Sequence, residues 1–331
     1  MKAIKKLLIT FITLILAFAI SINSQIAFAN TDNCLYLGGF IAGFKINTKG
    51  VTVVGVTEIF SENGVVSPSK SAGIEVGDII LSMNGKQITS SGDVNLTLKN
   101  YKGGNIITEI ERNGNIMLKD VYPAKDMTDN FRLGVFLRDG ISGLGTVTYI
   151  DEKGNFASLG HPVTDENGKV CSVSGGEVFN CSVVGVNRAE RGKTGELKGL
   201  ILGDENIGSI SGNSAVGLFG KFTNFNSENY QKVEISNAKI GVAEIFCTVD
   251  GVTPKKYDIE ILKSDLRNNV TKNLVIKITD KSLLKYTGGI LQGMSGSPII
   301  QNGKLVGAVT HVFVNDASRG YGISIQNMLA G

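Results

Sequence analysis

The sequence predicts a mainly β protein of two folded units behind a short export segment, and three observations carry that expectation. Glycine is abundant at 42 residues, whereas proline is limited to 5 and tryptophan is absent. Apolar residues fall into many short Val/Ile-rich runs separated by glycine or Asn/Asp turns, the signature of short strands joined tightly. From residue 127 onward such runs follow one another without intervening helices, which argues for an antiparallel sandwich or a pair of barrels. A chain of 331 residues with 42% apolar and 19% charged residues has the length for two domains and a globular composition.

The N-terminus reads as a targeting segment over residues 1–29. Lys2, Lys5 and Lys6 precede an apolar stretch from Leu7 to Ile22, and Ala27-Phe28-Ala29 places small residues where a signal peptidase cuts. A cleaved signal peptide and a retained membrane anchor both fit, although the run is short for a span. Either way the body of the protein is exported. Those three lysines account for the whole net charge of +3, so the rest of the chain is balanced and nothing points to nucleic acid. Cys34, Cys171, Cys181 and Cys247 fit no zinc spacing, and no metal or cofactor is called for. Cys171 and Cys181 are spaced for a bridge across a short hairpin, the alternative being isolated core thiols. None of the four lies in a glycine-shaped turn, which disfavours a cysteine nucleophile.

The first unit is expected over residues 35–125. In "SPSKSAGIEVGDIILSMNGKQI" (67–88), Ser71-Ala72-Gly73 forms a short helical turn and Gly77-Asp78 bends into the strand Ile79–Met83. Asn84-Gly85 then closes a hairpin, because that dipeptide tolerates positive φ at both positions. "SSGDVNLTLKNYKGG" reads as a capped amphipathic helix with Val94, Leu96 and Leu98 among its apolar positions, ended by Gly103-Gly104. A last strand pair turns at Asn113-Gly114. This stretch resembles a PDZ domain, most strongly in SAGIEVGDIILSMNG. The resemblance implies that an extended peptide is bound by strand addition, with Ile41-Ala42-Gly43-Phe44 as the glycine loop that meets its end. An ordinary β-turn glycine is the alternative reading of Gly43.

A short linker at 124–134 leads into the second unit, residues 127–331. There "GGILQGMSGSPIIQNGKLVGAVTHV" (288–312) sets Ser295 among glycines just before a hairpin. Acyl transfer by serine needs a base, a group to orient that base, and N–H donors aimed at the developing oxyanion. Gly293 lets the backbone turn so that the N–H groups of Gly293 and Ser295 converge as an oxyanion hole. The Gly-x-Ser-Gly-x-Pro turn resembles the nucleophile turn of chymotrypsin-like and HtrA-like serine peptidases, implying a chymotrypsin-like double β-barrel.

The chain has two histidines. His161, in "NFASLGHPVTD", follows a strand early in the second unit and is the expected base. His311 follows the nucleophile hairpin and is expected to line the substrate pocket. For the orienting carboxylate Asp280, Asp165 and Asp316 all remain open on pattern alone. The position that holds a specificity-setting aspartate in trypsin-like enzymes is Gly289, so the pocket floor is expected to be uncharged. Met294 precedes the nucleophile where those enzymes carry an aspartate, which argues against activation by a freed N-terminus.

Taken together, "LGHPVTD", "ITDKSLLKYTGGILQGMSGSPIIQNGKLVGAVTHVFVND" and "GYGISIQNML" resemble the S55 peptidase family, the signalling serine peptidases of endospore formation. The resemblance covers essentially the whole mature chain. It implies a catalytic triad of Ser295, His161 and Asp280. It also implies secretion from the forespore into the space between two membranes, and cleavage of a regulator of an intramembrane protease that processes a late sigma-factor precursor. A PDZ domain in this family governs self-association, self-cleavage and substrate targeting. The competing reading is a PDZ-based binding scaffold whose barrel no longer cleaves.

Overall fold

In chain order the first strands are β1 (Cys34–Leu37) and β2 (Ile41–Thr48). The structure, a computed structural model, describes residues 34–62, 64–164, 168, 170–265 and 271–331. The export segment and Asp165 lie outside the described residues. Leu35–Gly331 forms one compact unit.

β1 and β2 do not open a PDZ-like domain as expected. Four consecutive buried residues begin β2, a pattern suited to a strand covered on both faces rather than to an exposed glycine loop. The chain then runs through β3 (Val51–Val56), the hairpin β4 (Ile59–Ser61) and β5 (Gly64–Val66), and helix α1 (Pro68–Ser71). Strands β6 (Ile79–Met83) and β7 (Lys86–Gln87), helix α2 (Ser91–Lys99), β8 (Ile106–Arg112) and β9 (Asn115–Val121) follow. A small hairpin, β10 (Ala124–Lys125) and β11 (Phe131–Arg132), leads to β12 (Val135–Arg138). These elements form a separate sheet in the order β12-β3-β6-β8-β9, with its own core around Val53, Ile80, Met83, Ile106 and Ile110. The segment expected to be a linker instead forms the β10–β11 hairpin and sends Leu133 into that core, and the domain is an insertion that ends near Arg138.

Local chemistry in the insertion follows the sequence closely. Asn84 (φ 50°) with Gly85 (φ 74°), and Asn113 (φ 52°) with Gly114 (φ 82°), make left-handed two-residue turns. The Ser90 hydroxyl accepts the Asp93 N–H while the Asp93 carboxylate accepts from the Ser90 N–H, a closed capping box at the start of α2. Bonds from the Thr89 N–H and hydroxyl, joined by those from Ser90, hold the Asp93 carboxyl down at about 2. Val94 and Leu98, four apart, are buried, whereas Leu96 falls on the opposite face and is 46% exposed. Arg112 forks onto the buried Asp78 and reaches Glu75 and the Gly73 carbonyl, fixing the Gly77-Asp78 bend.

After the insertion come β13 (Ile141–Ile150), β14 (Asn155–Ser158), β15 (Val173–Asn187), β16 (Glu196–Ser214), β17 (Gly217–Phe222) and the short β18 (Lys232–Glu234). β13 pairs with both β2 and β14, so the ring β2-β13-β14-β17-β16-β15 closes into a first barrel. Phe44, Ile46, Val147, Phe156, Val178 and Leu218 fill it. The insertion leaves from β2 and returns into β13, two hydrogen-bonded neighbours in register at Ile46 and Ile141.

The second barrel is built from β19 (Gly241–Cys247), β20 (Lys255–Ser264), β21 (Leu274–Ile278), β22 (Pro298–Gln301), β23 (Lys304–Phe313) and β24 (Asp316–Ser324). It closes in the order β19-β20-β21-β24-β23-β22. Helix α3 (Lys281–Thr287) sits between β21 and the glycine-rich turn, and α4 (Ile325–Leu329) ends the chain. Leu37, Tyr149 and Ala157 of the first barrel pack with Leu305, Ala308 and Ile323 of the second, so a shared apolar seam joins the two. Cys181 and Cys247 are free thiols, so no bridge joins Cys171 to Cys181. Burial pushes the Cys247 thiol up to about 12, which keeps it an inert core group.

Candidate active site

Residues 291–297 form a turn whose four successive peptide planes are each fixed. The Gln292 carbonyl accepts the Leu197 N–H at 2.9 Å. A trans peptide points its N–H opposite to its carbonyl, so the Gly293 N–H faces away from β16. In the next plane the Gly293 carbonyl accepts the Thr146 hydroxyl at 2.9 Å and the Met294 N–H donates to Leu291. In the third, the Met294 carbonyl takes both the Ser297 N–H and the Ser297 hydroxyl, which turns the Ser295 N–H outward. In the fourth, the Ser295 carbonyl accepts the Thr146 N–H at 2.9 Å and the Gly296 N–H donates to Val309. Bonded and unbonded N–H groups thus alternate, and the two without a partner among the described residues belong to Gly293 and Ser295. Gly293 sits at φ 95°, a conformation that excludes a side chain.

Ser295 and His161 line the same cleft between the barrels, a cavity of about 500 Å³. The Ser295 hydroxyl donates to the Thr310 carbonyl at 2.7 Å. Its rotation off that carbonyl is the step that would present it to a base. His161 follows a left-handed Leu159-Gly160 step at the end of β14. Its Nδ1 lies 2.9 Å from the Pro162 carbonyl. A carbonyl only accepts, so Nδ1 carries the proton and Nε2 keeps its lone pair. Burial lowers the His161 pKa below the ordinary range, against the Pro162 bond and with help from Lys272, so the ring is neutral at neutral pH. The His311 ring stands 4.8 Å from that of His161, tilted by 43°. Burial, with the His161 and Lys272 charges, takes His311 to about 4.

Asp280 stands elsewhere. Its carboxylate accepts the Leu283 N–H at 2.8 Å and the Ser282 hydroxyl at 2.5 Å, capping α3, and those bonds keep it below the usual carboxylate range against partial burial. It does not line the cleft, and the atom that meets His161 Nδ1 is the Pro162 carbonyl. Of the three residues expected as a triad, the structure thus brings Ser295 and His161 to one cleft, whereas Asp280 caps α3. Asp316 is bound to Ser318 and Arg319 at the start of β24. Asparagine and serine cap as well as aspartate does, whereas an orienting acid cannot be replaced by an amide. Asp280→Asn and Asp280→Ser are therefore expected to keep activity within about 3-fold, and Asp280→Ala to lose about 1 kcal/mol of stability. A loss of about 10⁴-fold in Asp280→Asn with normal thermal unfolding would reinstate the triad acid.

Two further expectations shift. Gly289 does not line the cleft: its φ is 146° and a Cβ there would stand 2.2 Å from the Ala317 carbonyl. The apolar wall near the nucleophile is formed by Ile290, Leu291 and Leu144, and the described lining residues include no Asp, Glu, Lys or Arg. Ile41, Ala42, Gly43 and Phe44 belong to β2 and are buried within the first barrel, where Gly43 pairs with Leu144 and Phe179. They form no peptide loop, because both strand edges are already hydrogen-bonded. A groove lies between edge strand β12 and helix α2, lined by Val94, Leu98, Leu133, Gly134, Val135 and Leu137. Its signal in the sequence is "RLGVFL", a glycine step opening an apolar strand. The residue missed for the catalytic turn is Thr146, which no local pattern marks.

A stretch of 121 residues is 35% identical to the zinc metalloprotease RasP of Shouchella clausii (strain KSM-K16); it amounts to 34% of this chain, and the chain spans 28% of that protein's length. Residues 129–329, most of the chain, match the family described as SpoIVB peptidase S55. With a double barrel, a glycine-shaped serine turn and a neutral histidine on one cleft, the chain belongs to the SpoIVB peptidase S55 family and is a serine peptidase.

Proposed function

We propose that this chain is an exported serine endopeptidase of endospore formation that cleaves a membrane-protein regulator and so triggers intramembrane processing of a late sigma-factor precursor. The observation that supports the catalytic core is the pair of aimed N–H groups at Gly293 and Ser295, on the cleft that also holds a neutral His161. Nε2 of His161 takes the Ser295 proton as Oγ attacks the scissile carbonyl, and the two N–H groups bind the oxyanion. The imidazolium, held by the Pro162 carbonyl, then protonates the leaving amine. Water repeats the sequence to free the acid. Export is supported by Lys2, Lys5, Lys6 and the Ala27-Phe28-Ala29 triplet. No helix among the described residues is long and apolar enough to cross a membrane.

The inserted domain serves as a PDZ-type targeting module. The Leu133 and Gly134 carbonyls accept from Ser69 and Thr57, which turns the N–H groups of Gly134 and Val135 the opposite way. A peptide added beside β12 would meet those groups with its carboxylate and lay apolar side chains on Val94 and Leu98. Self-association and self-cleavage depend on the same groove.

A fluorophosphonate probe is expected to label wild-type protein at Ser295 and to leave Ser295→Ala unlabelled. In a peptide mixture the unmodified wild-type enzyme should cut after small or apolar residues, because the described residues lining the cleft include no carboxylate to meet a basic side chain. Unlabelled wild type would favour the scaffold reading, and consistent cutting after Arg or Lys would overturn the pocket assignment.

A further inference from the structure

Thr146 lies on β13 in the first barrel, yet it is fully buried against the nucleophile turn of the second. Its hydroxyl donates to the Gly293 carbonyl and its N–H to the Ser295 carbonyl, both at 2.9 Å. These two carbonyls belong to the planes that alternate with the planes bearing the unbonded N–H groups. Fixing them removes the rotations by which Gly293, at φ 95°, could swing its neighbours out of line. Thr148, two residues on and on the same face of the strand, adds a hydroxyl bond to the Gly296 carbonyl at 2.7 Å. The first barrel thus reaches across the seam with three donors aimed at carbonyls 293, 295 and 296.

We propose that Thr146 is a positioning residue for the oxyanion hole, its hydroxyl holding the Gly293–Met294 peptide so that the flanking N–H groups stay convergent. The inference rests on the serine-peptidase reading above. Without the hydroxyl, the partly buried Gly293 carbonyl loses its donor, and an acceptor left unsatisfied there drives the peptide to seek another orientation. The N–H to Ser295 is main chain and survives substitution, so the turn stays docked while its alignment degrades. β13 is also the strand on which the inserted domain returns to the barrel, which places Thr146 eight residues beyond Arg138.

Thr146→Val keeps the shape and deletes the donor; Thr146→Ser keeps the donor. Fluorophosphonate inactivation separates the two steps, since its limiting rate reports chemistry at Ser295 and its half-saturation reports binding. Thr146→Val should lower the limiting rate by about 10- to 100-fold with half-saturation unchanged, as removal of oxyanion alignment does. Thr146→Ser should restore the rate to within about 3-fold, since the bond itself is retained. Thr108→Val, a buried threonine of the inserted domain, controls for simple loss of a core hydroxyl and should leave the rate unchanged. If Thr146→Val does not fold, Thr146→Ala is compared with Thr146→Ser in the same way. A wild-type limiting rate in Thr146→Val, or equal impairment in Thr146→Ser, overturns the proposal. Failure of the wild type itself to label would instead sink the underlying peptidase reading.

Discussion

Ser295→Ala and His161→Ala are each expected to abolish cleavage, with losses on the order of 10⁴- to 10⁶-fold, while thermal unfolding stays within a few degrees of wild type. The two losses should not add in the double variant, because nucleophile and base act in one step. The Ser295 hydroxyl makes one hydrogen bond, to Thr310, and the His161 ring one, to Pro162, beside its ring contact with His311, so neither side chain carries much of the fold. The measurement is cleavage of a protein substrate followed by mass spectrometry, alongside calorimetry of each variant. Near-normal turnover in His161→Ala would remove the assignment of the base and direct attention to His311, the other imidazole on the cleft.

Gly296→Ala should be nearly as damaging, for a different reason. A Cβ at this position would stand 2.0 Å from the Thr146 carbonyl and 2.5 Å from the Leu159 nitrogen, both main-chain atoms that cannot swing aside, and φ is 93°. Close approach of the two barrels at this point is what lets β13 grip the nucleophile turn. We expect a loss of about 2–4 kcal/mol in stability, by steric and backbone strain combined. The surviving folded fraction should show a fluorophosphonate labelling rate lowered by about 10²-fold or more, as when oxyanion donors are misaligned. Gly303→Ala, in the exposed β22–β23 turn with open space around its Cβ, is the control for loss of a left-handed glycine and should label normally. Equal labelling of the two variants would mean that the seam tolerates a methyl group and that the turn is held by other contacts.

What could be read from the sequence was chemistry that is local along the chain. The glycines around Ser295 fix the turn within six residues, and the scarcity of histidine singles out His161 and His311. The Asn-Gly turns at 84–85 and 113–114 and the Ser90/Asp93 box are likewise decided by neighbours in sequence. Topology is not local. β1 and β2 look like any opening strands, and nothing in their alternation says that their partners are β13 and β15 rather than β3. The misplaced peptide loop at Ile41–Phe44 follows from that one ambiguity.

Asp280 is a different case, because its place at the start of a helix was visible. Aspartate followed by Lys-Ser-Leu-Leu-Lys and closed by Gly288 in a left-handed C-cap is a complete helix punctuation. The resemblance to a triad pattern drew it toward the histidine, and only the packing of α3 shows where its carboxylate goes. Thr146 and the Pro162 carbonyl had no such signal: one is a threonine in an apolar strand and the other is a backbone atom. Both matter through partners that tertiary folding alone supplies.

The inserted domain enters and leaves through adjacent rungs of one ladder, at Ile46 and Ile141. A hairpin of two or three residues would bridge the same gap, so the barrel's closure does not need the domain at all. That makes the domain an exchangeable module hung on a two-strand stem, and if it carries the targeting role proposed above, grafting another module onto the stem would retarget the enzyme without redesigning its barrel. It also means that a single nick within the module leaves both stem strands hydrogen-bonded in place. A cut there would sever the covalent leash between module and barrel while the two barrels stayed whole.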